Sequence, residues 1–143
     1  MKGINLSRVL LAGLAAGLVI DISESVLNMS VLGPDMMALL QKTGAAAMNT
    51  SSLVIFCILG FVLGIVLVWL YAAARTRFGP GSNTATKIAV AAWVLAYLYP
   101  GVGGMMMGIM STRSATIGLV WQLVELIVAA NVGGYLYKEA ASA

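Results

Sequence analysis

Four stretches of this chain, about residues 5–32, 52–76, 84–110 and 114–137, are apolar over at least the length that a membrane helix requires. A bilayer core takes ~20 such residues to cross. Lipid offers no hydrogen bonds to an open backbone, so a segment of this kind forms a helix. No other feature constrains the fold as strongly. Only 9% of the residues are charged and 61% are hydrophobic, against roughly 25% charged in a soluble domain. The sequence predicts an all-α membrane protein, a four-transmembrane-helix bundle in a single domain over residues 1–143. Lys2 and Arg8 precede a short apolar run as in a signal peptide, but no A-x-A cleavage pattern follows, so a retained first helix is expected.

The connections differ in kind. Residues 33–51 (GPDMMALLQKTGAAAMNTS) are long enough for a short interfacial helix between spans 1 and 2. Residues 77–83 (RFGPGSN) predict a tight turn, with Gly and Pro stopping one helix and Ser82 or Asn83 capping the next. Residues 111–113 barely separate the last two spans. Lys2, Arg8, Arg75, Arg77, Lys87 and Lys138 fall on one side of the bundle, and only Lys42 and Arg113 on the other. Basic residues in short loops stay cytoplasmic, so both termini are expected there. Trp69, Tyr71, Phe78, Tyr135 and Tyr137 fall near the same boundary, as an aromatic belt would. Gly13/Gly17, Gly60/Gly64 and Gly104/Gly108 are G-x-x-x-G pairs, and Ala129/Gly133 extends the pattern to the fourth span. Small residues at that spacing let helices approach closely, within a chain or between copies.

Against this background, acids inside the spans stand out. Asp21 and Glu24 are three residues apart on one helix and Asn28 lies a turn further. The fourth span carries Gly118, Gln122, Glu125, Ala129 and Gly133 at matching spacing. In an antiparallel pair, facing residues have a constant index sum, and 13+133, 17+129, 21+125, 24+122 and 28+118 all equal 146. That register brings acids and amides together near mid-membrane and predicts a cluster of Glu24, Glu125, Asp21, Asn28 and Gln122. Burying a charge there costs about 2.5–3.5 kcal/mol per acid on insertion scales. No Lys or Arg lies at that depth. The acids are then protonated and hydrogen-bonded, or bind a cation, or line a wet cavity. Ser23, Ser25, Tyr97 and Tyr99 could add hydroxyls, and Pro100 should kink the third span near the same level.

Two readings follow. In one, Glu24 and Glu125 bind or move a proton, a cation or a small cationic solute, tuned by Asp21 and oriented by Asn28 and Gln122. In the other, the acids are interhelical glue in a non-catalytic accessory subunit of a larger membrane complex. Catalysis is not expected: there is no His, and Cys57 has no activating neighbour in the sequence. No cofactor and no metal site is expected. The methionines 29, 36, 37, 48, 105, 106, 107 and 110 all fall in the outer half or outer loops. Thioethers favour Cu(I), but no His supports a copper site, and flexible packing explains Met better. Arg75, Arg77 and Lys87 around the turn are expected to meet lipid headgroups. Nothing suggests nucleic acid; the expected partners are membrane lipids and further copies or a larger complex.

The stretches WLYAAARTRFGPG, GLVWQLVELIVAANVGGYLYKE and GLVIDISESVLN resemble a family of small bacterial four-helix membrane proteins with no assigned function. Its members look to share a W-L-Y-A-A-x-R-x-R-F-G-P-G turn, a W-x-L-V-E in the fourth span and a first span ending G-E-x-x-L-N. Glu24, Asn28, Glu125, Arg75 and Arg77 match that pattern, while Asp21 stands where an amide is expected. The resemblance implies the architecture and no chemistry. A looser likeness is to small multidrug transporters, four-helix proteins that work as dimers around a first-span Glu. This chain is longer, has a second acid in span four and lacks their sequence pattern.

Overall fold

The computed structural model describes residues 3–46 and 49–139. Lys2, used above for orientation, and Met48 lie outside the described residues. Four long apolar helices form a bundle: Leu6–Val31, Thr50–Phe78, Ser82–Met106 and Thr112–Leu136. The first begins as α1 (Leu6–Val26) and widens into a π turn at Leu27–Val31. A short α2 (Gly33–Thr43) follows, then α3 (Thr50–Phe78). The third span is α4 (Ser82–Trp93), a second π turn at Val94–Leu98, and α5 (Tyr99–Met106). The fourth is α6 (Thr112–Leu136). The described residues are thus all-α, with five helices counting the third span as one.

The helix ends follow from local chemistry. Asn5, Asn49 and Ser111 cap α1, α3 and α6 by accepting the backbone N–H three residues on. Asp35 in the first turn and Lys42 in the last turn of α2 both suit the helix dipole. The turn at 79–81 is where the sequence reading needs correction. Neither Ser82 nor Asn83 caps α4. Gly81 holds the cap position, and both Gly79 and Gly81 take positive φ, 81° and 120°. Ser82 donates instead to Asn131 on α6, and Thr84 Oγ1 donates back to Gly79 O at 2.7 Å.

In lipid the spans gain little from the hydrophobic effect, and packing decides which faces meet. α1 packs most extensively on α3, and also on α6; α4 packs on α6 and, less, on α3. At the α1–α3 contact the glycines interlock. A Cβ on Gly64 would overlap the backbone of Gly17 and Gly13, and one on Gly13 or Gly17 would run into Ile65 or Phe61. Gly133 of α6 faces Val68, Ala16 and Ala12. The Gly104/Gly108 pair makes no comparable contact: Gly108 lies beyond α5 with φ +71°, in open space. The core of Val9, Ala12, Ala16, Ile20, Leu67 and Leu126, with their neighbours, fills the half of the bundle that holds both termini. Residues 53–59 of α3 are exposed all round.

The aromatic residues at the terminal end divide. Trp69, Phe78 and Tyr135 are exposed as a belt requires, but Tyr71 and Tyr137 are buried. Their rings meet edge to face at 6.3 Å. Their hydroxyls accept backbone N–H groups, Gly81 to Tyr71 at 3.0 Å and Asn5 to Tyr137 at 3.2 Å. These contacts join the turn, the N-terminal segment and the C-terminal end of α6.

Candidate functional site

Glu24 is held by two amides, one on its own span and one across the interface with α6. Asn28 Nδ2 donates to Glu24 Oε2 at 2.7 Å and to the Glu24 backbone carbonyl at 2.8 Å. Gln122 Nε2 donates to Glu24 Oε1 at 2.8 Å. Asn28 lies in the π turn that ends the first span, a widening of the helix that is frequent at functional sites. A second bond, Trp121 Nε1 to Ser23 Oγ at 2.9 Å, runs parallel to it. The α1–α6 register of the sequence analysis holds at Glu24 and Gln122.

Glu125 lies one turn from Gln122 and is only 4% exposed. Neither of its carboxyl oxygens has a hydrogen-bond partner among the described residues. The Ser23 hydroxyl stands beside it and the Tyr97 hydroxyl beside Glu24, so span 3 contributes to the same layer through its π turn. Pro100 is the second residue of α5, in its first turn, which places the break in span 3 near the level foreseen from the sequence. Tyr99 does not join: it is 81% exposed. Two residues of separation put it on the opposite side of the helix from Tyr97.

Asp21 departs from the predicted register. It faces α3, where a Cβ on Gly60 would overlap its carboxyl group. Its Oδ2 is buried with no partner. The stripe Gly13, Gly17, Asp21 thus meets Gly64, Phe61 and Gly60 of α3, whereas Ala12, Ala16, Ser23 and Glu24 meet α6. Three residues on a helix turn through 300°, and the remaining 60° is enough to divide Asp21 and Glu24 between two neighbours.

Among the described residues, no three Asp, Glu or Cys side chains converge closely enough to hold a metal ion. Met29, Met106 and Met107 are each more than three-quarters exposed, at 79%, 77% and 77%. Arg77 and Lys87 are exposed at the turn, Lys87 lying 5.3 Å from the Phe78 ring. Arg75 is engaged within the bundle. Its guanidinium lies 5.8 Å and 5.4 Å from the Tyr71 and Tyr137 ring centres and pairs with Glu139 at 3.3 Å. The sequence analysis missed Trp121 and Trp93; the latter donates its indole N–H to Leu119 O at 2.9 Å. A Trp inside a span, far from the headgroups, is the signal that could have found both, because its N–H needs a partner.

The fold defines a small multi-span membrane protein. No protein-family model, no curated protein and no solved structure matches the chain. The family likeness read from WLYAAARTRFGPG therefore rests on those stretches alone.

Proposed function

We propose that this is a multi-pass protein of the bacterial cytoplasmic membrane, with both termini cytoplasmic, that binds or moves a proton, a cation or a small cationic solute at Glu24 and Glu125. It has no enzymatic activity and works as a homo-oligomer or within a larger membrane complex. One observation carries the reading: Glu125 is a buried carboxyl that forms no well-formed hydrogen bond, although the Ser23 hydroxyl stands beside it, and it lies next to a second carboxyl that two amides already satisfy. Glue needs firm partners, and Glu125 has the Ser23 hydroxyl beside it but no well-formed hydrogen bond. An unpaired buried carboxyl is neutral or takes a cation, and an intramembrane acid marks a pathway by default.

The test is ion flux in proteoliposomes under proton and cation gradients. Wild type should dissipate one of them, and Glu125→Gln should abolish this without loss of thermal stability. Equal flux in the two proteins rejects the reading. The second reading, an accessory subunit with the acids as glue, is favoured by the Glu24–Gln122 and Trp121–Ser23 bonds between α1 and α6. It predicts no flux and a marked loss of stability when Glu24 is replaced by Leu.

A further inference from the structure

At the end of the bundle opposite the termini, α2 and the segment before α6 enclose a groove of about 300 Å³. Leu32, Asp35, Met36, Lys42, Met110 and Ser114 are among its walls. Asp35 ties α2 to α6: Ser114 Oγ donates to its Oδ2 at 2.6 Å and Arg113 pairs with the same oxygen at 3.2 Å. Leu32 is 6% exposed and lies between this groove and α6, its Cδ1 3.9 Å from where a Cβ on Gly118 would sit. One turn below Leu32 is Asn28, and one turn below Gly118 is Gln122, the two amides that hold Glu24. Along α1 and α6 the sequence of groups is therefore groove, Leu32 against Gly118, amides, Glu24, Glu125. Between the groove and the amides, Leu32 stands opposite a residue with no side chain.

We infer that the groove is the mouth of an access path to Glu24 and Glu125, closed by Leu32, and that what it admits is water and with it a proton. The path deepens the proposed function and rests on it. The charges at the mouth select the species. Asp35 is neutralised by Arg113, and Lys42 adds a further positive charge. Such a mouth does not concentrate metal or organic cations. A proton needs only a continuous chain of water and polar groups. Gly118 fits the assignment: a Cβ there would meet nothing nearer than Leu32 Cδ1 at 3.9 Å, so a larger residue would press against the plug.

Cysteine accessibility tests this in nanodiscs, with a charged methanethiosulfonate reagent and Cys57→Ser as background. Met36→Cys, at an exposed groove wall, should react fast and Gln122→Cys slowly. Adding Leu32→Ala should speed Gln122→Cys by about tenfold, the truncation leaving a cavity beside polar groups that water can enter. Leu126→Cys, in the core, should stay unreactive. Should Leu32→Ala also expose Leu126→Cys, Leu32→Val decides, with an expected gain of about threefold from its smaller cavity. The inference is overturned if Gln122→Cys gains nothing from the decisive Leu32 variant, or already reacts as fast as Met36→Cys. Accessibility is independent of flux. A path that opens as described in a protein without flux would sink the proposed function and leave the path standing.

Discussion

Gln122 on α6 donates its amide to Glu24 on α1 at 2.8 Å, and Asn28 donates to the other oxygen of the same carboxyl at 2.7 Å. One acid thus links two spans and the end of its own helix. Interhelical hydrogen bonds in membrane proteins average about 0.6 kcal/mol and reach about 1.7 kcal/mol. Gln122→Ala should lower stability within that range. Glu24→Gln should cost less, because an amide can still pair with both partners. Thermal unfolding in detergent measures both, and a larger loss in Glu24→Gln than in Gln122→Ala would show that the charge, not the bond, matters.

The interlocked glycines make a sharper prediction, because what each added methyl would strike differs. At Gly133 it meets the Val68 side chain, and at Gly60 the Asp21 side chain. At Gly64 it meets backbone, Gly17 N and Gly13 O. All three Ala variants should destabilise, by about 1–3 kcal/mol as overpacking does. Val68→Ala should rescue Gly133→Ala, and Asp21→Ala should rescue Gly60→Ala. No single side-chain truncation should rescue Gly64→Ala. Double-mutant cycles on unfolding temperature read all three.

Arg75 and Arg77 are two residues apart in the same motif and have different surroundings. Arg75 lies against two tyrosine rings and pairs with Glu139, while Arg77 is exposed. A cation over an aromatic ring contributes about 0.5–2 kcal/mol. Arg75→Ala should therefore destabilise by ~1 kcal/mol or more, and Arg75→Lys should recover only part of it, since an ammonium does not stack as a guanidinium does. Arg77→Ala should leave the unfolding temperature nearly unchanged. Equal effects at the two positions would contradict the geometry.

The attachment of α2 to α6 divides similarly. The Asp35–Arg113 pair is exposed, with side-chain exposures of 36% and 74%, so Arg113→Ala should cost under ~1 kcal/mol and be masked by salt. Ser114 is buried and donates to the same carboxylate at 2.6 Å. Ser114→Ala should cost about 1–3 kcal/mol, since the bond is to a charged group. Hydrogen exchange over Gly33–Thr43 would show whether the loss is local to α2.

What the sequence made legible follows from which physical signal was unambiguous. The four spans were, because twenty apolar residues have one solution in lipid. The Glu24–Gln122 pairing was, because an antiparallel register relates polar residues at few alternatives. The partner of the Gly13/Gly17 stripe was not. Small residues at four-residue spacing occur on α3 and α6 alike, and an index sum can be drawn with either. Asp21 went astray for the same reason, being assigned to α6 along with the stripe it continues. Tyr71 and Tyr137 sit at the depth of a belt, and depth does not say whether a ring faces lipid or core. Their inward turn depends on Arg75, Glu139, Gly81 and Asn5, which are scattered along the chain.

At Gly64 the backbones of α1 and α3 touch with no side chain between them. Helices that meet through side chains can slide as rotamers change, but this pair has nothing to yield. Rolling α1 by one residue would drive Leu14 or Leu18, now turned outward, into α3. The first two spans therefore behave as a single beam to which Glu24 is bolted. Any change in what surrounds that carboxyl falls to the other two spans, to α6 with Gln122 and Glu125 and to the wide turn at Val94–Leu98.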